Sequence, residues 1–414
     1  MTLDRLLGAR LPGPPAALRR GPFREGAFSS PLHSERRAAR TGVLLGLAFA
    51  VCFLTGLVSH LVQHPPSWWV WPASPSWLYR VTQGVHVATG LASIPLLLVK
   101  LWTVYPKLFA WPPAGSPARL VGRLSLLVLV GASTMQLLTG LVNIAEWYPW
   151  AFFFTTTHYW TGWLAIGAVA VHVGAKAPEI RRGLARRGSP AATAGLPAGE
   201  ATAQAAADDA AETNAVPRRA FVLAGGLAVG AVTLATVGQT VSPLARVSVL
   251  GPREPGVGPQ RLPVRQTAHK AGTADVGADY RLTVAGPRPL SLSLADLQAL
   301  PQATERLPIT CVEGWSANAT WTGVRLADLL EEAGLPRGTE VTVESLQTGG
   351  LYRVSTVSPP HARSPRTLLA LRLDGEQLAP DHGYPVRLIA PNRPGVMQTK
   401  WVTRIAPGSG GIGA

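Results

Sequence analysis

Cys311 is one of only two cysteines in 414 residues, and it lies in the run Thr310-Cys311-Val312-Glu313-Gly314-Trp315. The other, Cys52, sits inside an apolar stretch long enough to be buried in a bilayer, so the two thiols are not disulfide partners. Three roles stay open for Cys311 at this point: a packed small hydrophobe, a nucleophile, or a ligand to a soft metal. A second set of reactive side chains is four histidines in or beside apolar runs: His60, His86, His158 and His172. An ionisable group within a span is by default a functional hypothesis. On a helix, His158 and His172 are about 21 Å apart along the axis and about 40° short of four whole turns, so they face the same way.

The elements that must position these residues divide sharply by composition. The chain is 47% hydrophobic, 15% charged and carries 13 tryptophans, which excludes an ordinary soluble enzyme. Apolar stretches near 41–61, 82–104, 124–145, 156–176 and 220–241 each approach the length of a span, about 20 residues. Arginine and lysine crowd the N-terminal tail, the connection after the second stretch and the connection after the fourth, while the other connections hold only Arg80. That bias places the N-terminus in the cytoplasm and the C-terminal domain outside. The net charge of +15 follows largely from this topology and implies no nucleic-acid partner. Pro65 to Trp71 and Glu146 to Trp150 are expected aromatic belts at the outer interface. The expected organisation is a basic tail (1–40), a four-helix membrane domain (41–180), a flexible cytoplasmic linker (181–216), a fifth span (217–241), an outer linker (242–275) and an α+β domain (276–408), in which short alternating strands mix with short helices.

Two runs carry resemblances in the membrane part. Pro217-Arg218-Arg219-Ala220-Phe221-Val222-Leu223 resembles a twin-arginine export signal placed internally. That implies export of a domain already folded around a cofactor, with the twin-arginine translocation machinery as partner; no small-residue cleavage site follows, so the run stays as an anchor. The histidine spacing in the fourth span resembles the four-helix cytochromes b of formate dehydrogenases and hydrogenases. The resemblance implies one haem b held by His86 and His158, with Gly84 and Gly90 giving room for a flat macrocycle. It leaves a second haem on His172 open. The family's first-helix ligand is missing at Arg40 to Leu44, and His60 competes as a ligand or as a quinone contact.

In the outer domain, Leu307-Pro308-Ile309-Thr310-Cys311-Val312-Glu313-Gly314-Trp315, Trp321-Thr322-Gly323, Asp381-His382-Gly383-Tyr384-Pro385-Val386-Arg387 and Lys400-Trp401-Val402 resemble the ordered motifs of the sulfite oxidase family. Within it, the pattern is most similar to small periplasmic reductases of the methionine-sulfoxide type, whose loop begins Cys-Val-Glu. The resemblance implies an α+β molybdopterin-binding fold, with Cys311 as the thiolate ligand of molybdenum. It implies that His382 and Arg387 hold the pterin, that Gly395 to Lys400 completes an anion site, and that Glu313 relays protons during oxo transfer. Met397 stands where relatives often carry a basic residue. The arginine-flanked cysteine loop of true sulfite oxidases is replaced by Val312-Glu313-Gly314-Trp315. Together these features imply a bacterial cytoplasmic-membrane oxidoreductase that moves an oxygen atom on a small-molecule or protein-bound oxide and draws electrons from quinol. The alternatives are a sulfite-type dehydrogenase feeding the quinone pool and a non-enzymatic haem- or quinone-binding module.

Overall fold

The computed structural model describes residues 33, 35–109, 117–185, 218–251, 253–350 and 352–408. The basic tail up to residue 32 and the Ala-, Gly- and Thr-rich linker from 186 to 217 lie outside the described residues. Helices occupy all five apolar stretches: α1 (Glu35–Gln63), α2 (Leu78–Val104), α3 (Pro117–Ile144), α4 (Phe154–Ala185) and α5 (Arg218–Val237). Among the described residues, three of them, α1 to α3, are long and apolar enough to cross a membrane. The expectation of five is met in number of helices but not in composition. The apolar part of α5 is the shorter Leu223–Val237. The N-terminal turns of α4 carry Thr155, Thr156, Thr157, His158 and Tyr159, which dilute its apolarity.

The chain forms two compact units, Met1–Phe53 with Thr89–Thr233 and Leu54–Ala88 with Leu234–Ala414. In the first, α3 and α4 pack side by side around a closed set of polar groups. Gln136 Nε2 lies 2.9 Å from His158 Nε2, Thr139 Oγ1 lies 3.0 Å from His158 Nδ1, and Thr161 Oγ1 donates to Gln136 Oε1 at 2.7 Å. In hydrocarbon such groups have no water to turn to, so mutual satisfaction is what lets them sit between helices. The same unit holds Phe53 edge-on to Trp163 at 4.9 Å and Lys100 Nζ on the Ala38 carbonyl at 2.6 Å.

The second unit contains the corner 54–88 and the α+β domain. One five-stranded sheet runs β2 (Leu290–Ser293), β1 (Arg281–Val284), β10 (Val402–Pro407), β5 (Val341–Ser345), β6 (Val354–Val357). Its only parallel pair is β1 with β10, so the last strand closes the sheet at its centre. The second sheet runs β3 (Ala303–Thr310), β4 (Ser316–Arg325), β7 (Leu368–Leu373), β8 (Glu376–Gln377), with β9 (Arg387–Ile389) pairing β7. Alternating burial along β1, β5 and β6 shows one apolar face turned inward, as expected for a half-buried strand. That face packs with the short helices α7 (Leu294–Ala299) and α8 (Leu326–Glu332) in a core including Leu282, Leu297, Leu329, Val343 and Ile405. α7 opens with a capping box in which Ser293 and Asp296 satisfy each other's backbone. A second core gathers Cys311, Trp315, Trp321, Leu307 and Ile389.

Segment 242–275, expected to be an outer linker, packs its described residues against the domain. It holds short turns at Ser242–Val247 and Pro259–Arg261 and the one-turn helix α6 (Ala268–Ala271). Gln260 Oε1 accepts from Ala379 N at 2.9 Å, and Asp381 Oδ1 accepts from Ala268 N at 2.8 Å. Its Gly and Pro content reflects turns, not freedom.

Candidate molybdenum-cofactor site

Cys311 directly follows β3 and is 3% exposed. The loop that follows is a tight turn in which Cys311 N–H donates to Trp315 O at 2.9 Å and Gly314 N–H to Cys311 O at 3.1 Å. Gly314 takes φ +100°, and a Cβ there would lie 2.7 Å from Val87 Cγ2, so only glycine fits. Glu313 is fully buried and faces two arginines from the supposed linker: Arg265 Nε at 2.9 Å and Arg253 Nε at 3.9 Å. The pairing balances its charge and fastens segment 253–265 to the cysteine loop.

Three basic residues converge beside this loop. His382 is fully buried, and its Nε2 lies 2.6 Å from the Pro259 carbonyl. A carbonyl can only accept, so Nε2 carries the proton, and Nδ1, buried with no hydrogen-bond partner among the described residues, is left as an acceptor. Arg387, on β9, donates through Nη1 to His382 O at 3.2 Å, lies with its guanidinium carbon 5.3 Å from the Trp321 ring centroid, and leaves Nε without a partner. Lys400 Nζ donates to the carbonyls of Asp381 at 2.6 Å and Gln266 at 2.8 Å. Burial pushes Arg387 down to about 9. Burial, then Arg387, pushes Lys400 well below the usual lysine range. Burial, with Arg387 next, pushes His382 down to about 4. Among the described residues no carboxylate pairs with the buried Arg387 guanidinium, which stays charged at neutral pH and so suits an anion. The tip of the next loop adds Arg393, 5% exposed, held by Nη2 on Thr356 O at 2.7 Å with Nη1 unpartnered, and burial lowers it to about 10. Pro394 bridges Thr310, which brings that loop beside Cys311.

Cys311, Glu313, His382, Arg387 and Lys400 therefore share one unit, and Cys311 lies within electrostatic reach of Lys400. Met397 is buried in the turn Gly395–Met397 and adds no charge to the anion site. A soft thiolate beside a cationic, partly unsatisfied cradle fits a dithiolene–phosphate cofactor whose metal takes a sulfur ligand. Residues that the motifs do not reveal complete the picture. Arg253, Arg265 and Pro259 lie in a stretch whose composition looks like linker. Asn392 holds the left-handed conformation at φ 57° and bridges Tyr79 N (2.7 Å) to Pro72 O (2.7 Å), while Trp71 Nε1 donates to its carbonyl at 2.8 Å. The only hint of Asn392 in sequence is the run Pro391-Asn392-Arg393-Pro394, a turn signal.

The membrane histidines have protein neighbours in the structure. Both ring nitrogens of His158 are engaged by Gln136 and Thr139, so an iron ligand there would have to break one of those bonds. A Cβ on Gly84 would clash with Thr240 Cγ2 at 2.7 Å, whereas one on Gly90 would make an ordinary contact with Cys52 Sγ at 3.6 Å. It is Gly56 that accommodates His86, whose Cε1 lies 2.7 Å from where a Cβ would stand. His60 stacks obliquely on His64 with centroids 4.9 Å apart, and His172 is half-buried. As arranged, His158 does not fit a haem iron.

Comparison with known proteins agrees with the domain's geometry. The family profile "Oxidoreductase molybdopterin binding domain" matches residues 269–408. Sulfite oxidase of Arabidopsis thaliana is 30% identical over 161 residues, covering 30% of this chain and 41% of that enzyme. The protein-methionine-sulfoxide reductase catalytic subunit of Gluconobacter oxydans is 34% identical over 133 residues, covering 28% of this chain and 43% of the subunit. An uncharacterized oxidoreductase of Bacillus subtilis is 30% identical over 118 residues, 28% of this chain and 58% of that protein. The C-terminal region is thus a molybdopterin-binding oxidoreductase domain of the sulfite oxidase family. The match spans less than half the length of the plant and Gluconobacter relatives.

Proposed function

We propose that this chain is a membrane-bound molybdenum oxidoreductase that transfers an oxygen atom on an oxide substrate outside the cytoplasm, in the reductase direction. The observation that carries the reading is the buried thiol of Cys311 beside a cationic cradle whose Arg387 Nε and His382 Nδ1 lack partners. Cys311 would ligate the metal; Arg387 and Lys400 would bind the pterin phosphate; His382, with its tautomer fixed by Pro259, would accept a hydrogen bond from the pterin. When bound, the cofactor supplies the two-electron change and the exchange of the oxygen atom. The chain's own task is to place and shield: Trp321 closes one face of Arg387, and Trp315 and Cys311 belong to one apolar cluster. Glu313 could carry a proton to the substrate oxygen only by loosening its pair with Arg265.

Electron exchange with quinone and a haem b on His86 and His158 rest on sequence resemblance alone, and the bonds of His158 to Gln136 and Thr139 speak against that axial pair. The dehydrogenase reading has one observation in its favour. Arg253 and Arg265 bring to the cysteine loop the positive charge that its own sequence lacks, which suits an anionic substrate such as sulfite. Detergent-purified protein assayed for metal content, then with viologen-linked oxides and with sulfite, separates these readings. Oxide reduction lost on Cys311→Ser supports the proposal; unchanged reduction refutes it.

A further inference from the structure

Within the unit that holds the cofactor site, the N-terminal end of α2 reaches the cysteine loop directly. The side-chain amide of Gln83 donates to the Val312 carbonyl, and the Thr240 hydroxyl donates to the Gly314 carbonyl. Ser316 N–H donates to Gln239 O at 2.8 Å, and Val87 packs where a Gly314 Cβ would stand. The carbonyls on both sides of Glu313 are thus held from outside the domain's own sheets.

The holders are themselves fixed. Gln83 is 3% exposed, and its Oε1 takes the Tyr79 hydroxyl at 3.5 Å, which leaves Nε2 turned to Val312. Tyr79, 1% exposed, shares a 3.0 Å bond with Ser59 Oγ; Gln63 Nε2 donates to that Oγ at 3.2 Å; and Tyr352 returns from the domain to Gln63 Oε1 at 3.1 Å. Arg80 pins the Thr240 backbone through Nε at 3.1 Å and Nη2 at 2.7 Å. The chain of bonds thus runs from the Val312 carbonyl through Gln83, Tyr79, Ser59 and Gln63 to Tyr352 of the domain.

We propose that Gln83 and Thr240 are positioning residues of the metal centre, which set the place of the Cys311 sulfur by holding the Val312 and Gly314 carbonyls. The helical corner is then a working wall of the site and not only an anchor. The proposal rests on Cys311 being the metal ligand. It acts through geometry: the orientation of a ligating sulfur is set by its supporting bonds, and outer partners of this kind tune a metal as well as hold it.

The test uses the full chain in detergent, in a Cys52→Ala background. In cofactor-free protein, iodoacetamide should alkylate Cys311 roughly five- to tenfold faster in Gln83→Leu and in Thr240→Val, the effect of losing one buried hydrogen bond. In loaded protein the Mo(V) electron paramagnetic resonance g-values should shift in both variants at unchanged metal content. Thr240→Ser, which keeps the hydroxyl, should match the parent in both measurements and excludes a mere packing loss. Parental alkylation rates and g-values in both Gln83→Leu and Thr240→Val would overturn the proposal. A Cys311→Ser variant that keeps metal and g-values would instead overturn the ligand assignment, and the alkylation rates would still decide the clamp.

Discussion

Arg387 shows most plainly how a single residue can demand a ligand. Its guanidinium is 3% exposed, stacked on Trp321 and bonded to one backbone carbonyl, with Nε unpartnered. Arg387→Ala should lower retained cofactor, measured as pterin and metal per chain, by about 10- to 100-fold in affinity, and Arg387→Lys should rescue only part because it lacks the planar fork. Equal cofactor content in all three proteins would remove Arg387 from the anion site. His382 gives a pH signature. Its folded value is depressed to about 4, against an ordinary 6.5, by burial first and Arg387 second. The unfolded state therefore takes up the proton first, so stability is full above about 6.5 and is lost as pH falls toward about 4. His361, depressed to about 3 by burial, acts in the same direction. Melting of cofactor-free protein should fall between pH 7 and 4.5, and less steeply in His382→Gln; parallel losses would contradict the assignment. Cys311, His382, Arg387 and Lys400 are legible in sequence because each sits in a short local run. The Arg265–Glu313 pair is not, since no local pattern ties a residue in a Gly- and Pro-rich stretch to a buried carboxylate.

Among the elements, the loop after β3 is decided by its glycine. Gly314 has a positive φ and no room for a methyl group beside Val87, so Gly314→Ala should destabilise the loop by about 1–3 kcal/mol, seen as a lower melting temperature and reduced cofactor content. An unchanged variant would mean that the loop can shift freely. The mixture of short strands and short helices in the domain is readable from alternation along the chain, and the structure shows both kinds of element there. Register and partners are not. The parallel insertion of β10 beside β1 joins segments with no shared local pattern, and Gln83 meets Val312 across 229 residues. In α4, His158 and Thr161 hydrogen-bond Gln136 across the α3–α4 contact, a pairing that the spacing of polar residues does not reveal.

For the whole molecule, composition reveals the division into apolar helices and an α+β domain, while sidedness rests on arginine placement. If Arg218 and Arg219 form an export signal, changing both to Lys should leave the domain in the cytoplasm. A Glu332→Cys reporter would then lose reactivity toward an impermeant thiol reagent in intact cells; unaltered labelling would refute the signal. X-ray absorption at the molybdenum edge of purified protein tests whether Cys311 holds the metal. Cys311→Ser should retain pterin-bound metal but lose one sulfur from the metal's nearest shell. The same number of sulfur neighbours in parent and variant would contradict it.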